Sequence, residues 1–378
     1  MNAFARLAVA ASAVCLAACA SLPATREDTT PRGSFTLRLI GQQKLDHLLQ
    51  FGGTTVGGLS GIDYDPEADL FYLISDDRSD FAPTRFYTAR LAIDAMRFGD
   101  VALQTVVTLK RPDGTAFPRH AADAEAIRYD PQSRSLWWTS EGERHDPSRL
   151  IEPFIRHASL GGDYLDEVPL DPMFHITMEA RGPRDNQVFE GATLSVDRRS
   201  LWISMEDPLI QDGPLPTMRE GAWSRISRYD RTASGGFGRL QQQLAYRIDP
   251  IPSAGAWTAK YAQNGISEIL AIDTTRMLVL ERAFALGAGW RIRLFEADWS
   301  SASDVKAIDA LVDAAAFVPL TKRLVLDFGT LHMAIDNLEG LCFGPTLTNG
   351  HRTLVFVSDD NFNPGQSTQF LAFEIVPR

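Results

Sequence analysis

The sequence predicts an all-β fold, a β-propeller of five four-stranded blades, and three observations predict it. A strand–turn–strand segment recurs along the chain with its register kept. Each copy closes on an acidic residue. Between the copies lie further short runs of β-branched and aromatic residues. Radial repetition of such units is how a propeller is built.

In the first copy Ser60-Gly61-Ile62-Asp63-Tyr64-Asp65-Pro66 leads into Leu70-Phe71-Tyr72-Leu73-Ile74-Ser75-Asp76. The second runs from Glu125 through Asp130-Pro131 into Leu136 to Glu141, and the third from Glu190 to Leu194 into Leu201 to Glu206. Looser copies open at Glu268, with Met277 to Glu281, and at Glu339, with Leu354 to Asp359. Outer strands are expected at Arg85 to Leu91 with Ala102 to Leu109, at Phe154 to Leu160, and at Ser224 to Tyr229 with Leu240 to Ile248. Trp290 to Ala297 with Leu324 to Phe328 supply the fourth pair. Phe370 to Val376 leaves the last unit one strand short. Phe35 to Ile40 can supply it, closing the N- and C-terminal strands into one blade with no open edge. The repeat intervals of 65, 65, 78 and 71 residues exceed the ~40–50 of common blades, so long loops are expected. The 78-residue interval has room for a sixth blade around Gln211 to Pro252. Ala302 to Phe317, rich in Ala and Asp, reads as a short helix inserted on the rim, and Trp137, Trp138 and Trp202 read as core.

Residues 1–18 read as a signal segment, with Arg6 ahead of an apolar stretch too short to span a bilayer. Leu16-Ala17-Ala18-Cys19 resembles a lipobox, which makes Cys19 a lipidation site and anchors the chain to a membrane. Ser21, with no Asp in its place, favours the outer membrane, facing the periplasm. An ordinary secretory cut near Ala18 or Ala20 is the alternative. Residues 19–33 then form a tether and 34–378 the propeller. After cleavage only Cys342 remains beside Cys19, within an apolar run, so it reads as a buried, inert thiol. The mature chain keeps 36 of 37 basic residues against 48 acidic ones, a net −12, and shows no basic cluster. Nucleic acid is excluded as a partner on that ground.

Neighbouring strands of a blade are antiparallel, so the residues that open a hairpin lie on the face where its second strand ends. Ser60, Glu125, Glu190, Glu268 and Glu339 open the copies; Asp76, Glu141, Glu206, Glu281 and Asp359 close them. Together they predict a ring of carboxylates at one mouth of the axial channel. Oxygen ligands without His or Cys select hard ions, and Ca²⁺ tolerates irregular geometry. A structural network of acids with Arg or backbone N–H groups is the other reading. Arg78, Arg144 and Arg282, with Arg85 and His120, would set cations beside the acids, as an oxyanion substrate requires. Gly58-Leu59-Ser60-Gly61 lacks the last Gly of a nucleophile elbow and opens a strand, so Ser60 is not expected to act as a nucleophile. Pro118-Arg119-His120-Ala121 lacks the Gly and second Arg of a histidine-phosphatase motif.

Gly58-Leu59-Ser60-Gly61-Ile62, Asp123-Ala124-Glu125-Ala126-Ile127, Phe189-Glu190-Gly191-Ala192, Gly265-Ile266-Ser267-Glu268 and Asn337-Leu338-Glu339-Gly340-Leu341, with Val357-Ser358-Asp359-Asp360-Asn361-Phe362, resemble the bacterial phytase-like family, also called esterase-like activity of phytase. The resemblance runs from about Phe35 onward. It implies a propeller linked to Ca²⁺-dependent phytases, which hydrolyse phosphomonoesters with metal-activated water, and the acidic repeat positions as its metal ligands. The expected function is a Ca²⁺-dependent hydrolase of a small ester or phosphoester. Glu190 or Glu339 would be the base, and Arg144 and Arg282 would serve the oxyanion. The alternative is a non-catalytic propeller lipoprotein that binds a ligand or another envelope protein.

Overall fold

Each copy folds as an antiparallel sheet because its apolar runs are separated by turns whose chemistry is local. The computed structural model describes residues 35–252, 262–312 and 317–378, and these form five four-stranded blades. From axis to rim the first blade is Leu59–Asp65, Leu70–Ser75, Arg85–Ile93 and Phe98–Thr108. The second is Ala124–Asp130, Ser135–Ser140, Phe154–Ser159 and Tyr164–Glu167. The third is Phe189–Leu194, Ser200–Met205, Ala222–Arg231 and Phe237–Ile248. The fourth is Ala262–Ala271, Arg276–Ala285, Gly289–Asp298 and Thr321–Asp327. In the fifth, Asn337–Gly344, Thr353–Asp359 and Gln369–Pro377 are completed by Phe35–Lys44. The two ends of the described chain therefore close one blade, as expected.

The inner turns show the local chemistry. Asp65 Oδ1 accepts the N–H groups of Glu67 and Ala68 at 2.9 and 3.3 Å, and Asp130 Oδ1 that of Gln132 at 3.1 Å. An Asp side chain that takes its own backbone two residues on fixes such a turn. Aromatic rings then seal the seams between blades. Tyr72 stacks on Tyr129 at 5.4 Å, Trp137 meets Phe237 at 4.9 Å, and Trp202 meets Trp299 at 5.1 Å. Phe328 packs on Phe356 at 5.1 Å between the fourth and fifth blades. Emptying sites of this kind costs roughly 3–5 kcal/mol each, so the rings hold neighbouring sheets in register. Cys342 is buried and unpaired among them.

Two expectations are corrected. No sixth blade occupies 211–252; that interval supplies the outer strands of the third blade, Ala222–Arg231 and Phe237–Ile248. Of the stretch 302–317 expected to carry a rim helix, residues 302–312 form turns and irregular chain, and 313–316 lie outside the described residues. Val305 and Leu311 are buried against Trp223 and Ala245, and Arg225 donates to the carbonyl of Ile308 at 2.8 Å. The signal segment, Cys19 and the tether lie outside the described residues.

The axis is closed by one side chain. Arg128, on the inner strand of the second blade, donates to the carbonyls of Ile62, Ile127 and Ala192 at 2.6, 3.0 and 2.5 Å. It also reaches those of Ile269 and Leu341 at 3.4 and 3.1 Å. Every blade thus lends one carbonyl to the same guanidinium, whose charge is matched by Glu268 at 2.5 Å. The plug lies two residues further along the inner strands than the acidic mouth, roughly 7 Å deeper, so the mouth is a blind recess.

Candidate functional site

The mouth is built by a bulge repeated in every blade. Pairing of the first two strands shifts between Leu59 and Gly61, Ala124 and Ile127, Phe189 and Ala192, Ile266 and Glu268, and Leu338 and Gly340. A bulge re-aims the extra side chain, here Ser60, Glu125, Glu190, Ser267 or Glu339. The next residue must let the neighbouring blade approach. A Cβ on Gly61 would lie 2.5 Å from the Glu125 carbonyl, and one on Gly340 3.0 Å from the Ile62 nitrogen. In the fourth blade that position is Glu268, which turns to the axis and Arg128.

One register step also decides the second ring. Ser75, Ser140, Met205, Glu281 and Ser358 pair with the residues ahead of the bulges. The residues that follow them are Asp76, Glu141, Glu206, Arg282 and Asp359. An arginine therefore stands where the other blades place an acid. These side chains and Asp123 surround a cavity of about 260 Å³, also lined by Arg78, Trp290 and several amides, or border it directly, as Glu141 does.

Of the residues expected at the mouth, Asp76, Glu125, Glu141, Glu190, Glu206, Glu339, Asp359 and Arg282 are there. Three are not. Glu268 is held by Arg128 and by the N–H groups of Ala192 and Ile269, both at 2.9 Å. Glu281 is fully buried, accepting from Tyr246 and Asn264 at 2.9 and 3.0 Å and pairing with Lys322 at 2.5 Å. With their carboxylates engaged away from the cavity, neither serves as a ligand there. Arg144 spends its guanidinium on the carbonyls of Thr177 and Glu179, and Arg85 on Asp77 at 2.6 Å. His120 faces a smaller recess with Arg78, Asp123 and Glu141. Sequence reasoning missed Asp123 as a ligand, although it precedes Glu125 by two positions, the spacing that puts strand residues on one face.

The electrostatics are lopsided. Eight carboxylates (Asp76, Asp123, Glu125, Glu141, Glu190, Glu206, Glu339, Asp359) face two guanidinium groups. Arg78 pairs with Asp123 at 2.5 Å. Arg282 pairs with Glu206 at 2.9 Å and Glu339 at 3.2 Å, and lies 3.7 Å from Glu190. Burial alone would lower the affinity of Arg282 for its proton, but Glu339, Glu206 and Glu190 outweigh it and keep the group charged. Burial lifts the carboxyls of Asp76, Glu125, Glu141, Glu190 and Asp359 well above their usual range, and neighbouring acids add to the rise. Glu339 is pushed up to about 7 by burial despite Arg282.

Two overlapping triads have the geometry of cation ligands: Asp123, Glu125 and Glu141, and Glu141, Glu190 and Glu206, with oxygens within 4.8 Å of one another. Two like charges at that distance repel by roughly 3 kcal/mol at an effective dielectric near 20. Glu141 is shared by both triads. Its Oε1 accepts the Val188 N–H at 2.5 Å, while its buried Oε2 has no hydrogen-bond partner among the described residues. An all-oxygen donor set of this kind suits Ca²⁺.

A cation bound by these oxygens would compete with protons for them. The carboxyls bind protons more tightly folded than unfolded, so stability is greatest at low pH and falls as pH rises through their elevated folded values. Without cation, the melting temperature is expected to fall between pH 5 and pH 8. Added Ca²⁺ should raise it more at pH 8 than at pH 5. A cation response independent of pH, measured by calorimetry, would contradict this coupling.

A model of the phytase-like family, described as esterase-like activity of phytase, matches residues 54–362. The chain belongs to the phytase-like family. A search of curated proteins finds no match. Among solved structures the chain is similar to an α-L-arabinofuranosidase of Lactobacillus brevis, at 10% identity and a TM-score of 0.42, covering 84% of this chain and 91% of that one. It is also similar to a periplasmic gluconolactonase of Pseudomonas aeruginosa, at 13% identity and a TM-score of 0.36, covering 85% and 90%. A member of the DUF4221 family from Bacteroides vulgatus matches at 9% identity and a TM-score of 0.40, covering 92% and 99%.

Proposed function

We propose that this phytase-like propeller is a Ca²⁺-dependent hydrolase of an ester bond, in a phosphomonoester, a carboxylester or a lactone. The observation that carries the reading is Glu141, fixed by one oxygen and unpartnered at the other, at the junction of two carboxylate triads. Asp123, Glu125, Glu141, Glu190 and Glu206 would hold the cation. When bound, it would supply positive charge for the substrate oxyanion and acidify a water. Glu339 stands outside both triads and, at about 7, suits a base at neutral pH. It takes one proton from water as the water oxygen bonds to the acyl carbon or phosphorus. The ester bond breaks, and the leaving oxygen takes a proton from a ring carboxyl held protonated by burial, Asp76 or Asp359. Arg282 fixes Glu206 and Glu339 across the recess and keeps the base oriented. The Arg128 plug shuts the recess from the other end of the axis.

The test is hydrolysis of phytate, p-nitrophenyl phosphate, p-nitrophenyl acetate and an aldonolactone in Ca²⁺, repeated in EDTA. Turnover of at least one class, lost in EDTA and restored by Ca²⁺, is expected. Calcium binding without turnover of any class would leave a binding protein, not a hydrolase.

A further inference from the structure

We propose that the mouth takes an uncharged, polyhydroxylated ester or lactone of about one sugar ring, rather than a phosphomonoester. The inference rests on the hydrolase reading for its chemistry and on the recess alone for its ligand class.

The charge balance comes first. Among the described residues, eight carboxylates and two guanidinium groups surround the mouth, a net −6 when all are ionised. Neither guanidinium is free, since Arg78 pairs with Asp123 and Arg282 with Glu206 and Glu339. Among the described residues no lysine or histidine lines the larger cavity. With every carboxyl ionised one Ca²⁺ leaves −4 and two leave −2, so a phosphate dianion meets net repulsion in that state even when the site is loaded. Each like pair about 6 Å apart costs roughly 3 kcal/mol at an effective dielectric near 20. Protonated carboxyls reduce the count but add O–H donors, which suit hydroxyl groups.

The remaining lining has the chemistry of hydroxyl recognition. Asn186, Gln187, Gln263 and Asn361 bring amides, each a donor and an acceptor. Trp290 lines the cavity with its ring 5.7 Å from the Arg282 guanidinium. On another side a Cβ added to Gly58 would lie 2.1 Å from Asp76 Oδ1 and 2.8 Å from the Phe362 ring, so that ring borders the acidic wall. Phe362 stacks on Phe81 at 4.3 Å, and Phe81 is 53% exposed. Asn361 and Phe362 both adopt left-handed backbone, at φ 47° and 50°, which Asn tolerates but which costs roughly 1–2 kcal/mol for a side chain such as Phe362. Asp359 and Asp360 hold the pair by accepting their N–H groups at 2.6 and 3.1 Å. The strain places one amide in the mouth and sets the Phe362–Phe81 stack beside the acidic wall. Carboxylates and amides for hydroxyls, with aromatic faces for the C–H side of a ring, match a sugar derivative. The cavity of about 260 Å³ lies below the usual range of drug-sized pockets, so one ring fills it.

In the proposed reaction the water oxygen bonds to the lactone carbonyl carbon and the acyl C–O bond of the ring breaks. The ring oxygen leaves by taking one proton from the ring carboxyl, Asp76 or Asp359, to become a hydroxyl, and the product is a hydroxy acid.

The test uses the protein containing residues 20–378 in Ca²⁺. Hydrolysis of galactono-1,4-lactone above the uncatalysed rate is compared with phosphate release from phytate and p-nitrophenyl phosphate. Separately, tryptophan fluorescence and calorimetry compare galactose with galactose 6-phosphate. Galactose is expected to bind at least tenfold tighter, and Phe362→Ala and Phe81→Ala each to weaken it about tenfold or less. Phosphate release without lactone turnover, tighter binding of galactose 6-phosphate, or binding of neither sugar overturns the proposal. Tighter galactose binding with no hydrolysis of any substrate upholds the ligand class and removes the hydrolase.

Discussion

Arg128→Met is expected to destabilise the propeller by roughly 3–5 kcal/mol, the usual cost of leaving one member of a buried ion pair alone. The side chain is buried and supplies donors to five carbonyls, one from each blade, while neutralising Glu268. Burial lifts Glu268 to about 7 even with Arg128 pulling the other way. Without Arg128 only the upward push of burial and the downward pull of two N–H groups remain, so Glu268 protonates more readily. Because a raised carboxyl loses its stabilising proton as pH rises, the deficit should widen above neutrality. Urea unfolding at pH 6 and pH 8 measures both effects. The double variant Arg128→Met with Glu268→Met should recover part of the loss, since it removes the stranded charge. A deficit below about 1 kcal/mol would mean that the plug does not hold the blades together.

The second large effect concerns the proposed cation. Glu141→Gln removes the carboxylate shared by both triads and replaces an acceptor oxygen with an amide donor. Calcium affinity should fall by at least ~100-fold, the upper end of what loss of a mere outer-shell partner costs. The Ca²⁺-induced rise in melting temperature should vanish with it. Glu339→Gln provides the contrast. Standing outside the triads, it should keep the calcium response while turnover falls ~10²–10⁴-fold, as expected for loss of a general base. An unaltered calcium response in Glu141→Gln would remove the triads as the binding site.

These effects depend on features the sequence shows to different degrees. The Asp-Pro turns, the alternating apolar runs and the 65-residue spacing are local, and they are sufficient to count blades and to pair Phe35–Lys44 with Gln369–Pro377. The acidic character of the mouth is legible for the same reason, because most copies open and close on carboxylates. The fourth blade is where the reading fails. Gly265-Ile266-Ser267-Glu268 aligns by its acid at Glu268, yet the bulge falls on Ser267, and the closing acid Glu281 is followed by Arg282. In a strand each step of one residue reverses the direction of the side chain. That single step sends Glu268 to the axis and Glu281 into a pair with Lys322, and it puts a guanidinium among carboxylates.

By itself, then, the sequence determined the five-bladed architecture, the closure of its ends and the presence of an acidic face. Those follow from short-range pattern and from the period of the repeat. Only the tertiary structure decided which acids meet, that Asp123 joins them, that Arg282 faces them, and that Arg128 closes the axis beneath. Such facts depend on bulge positions and on the convergence of strands from five blades, and no window of neighbouring residues contains that geometry.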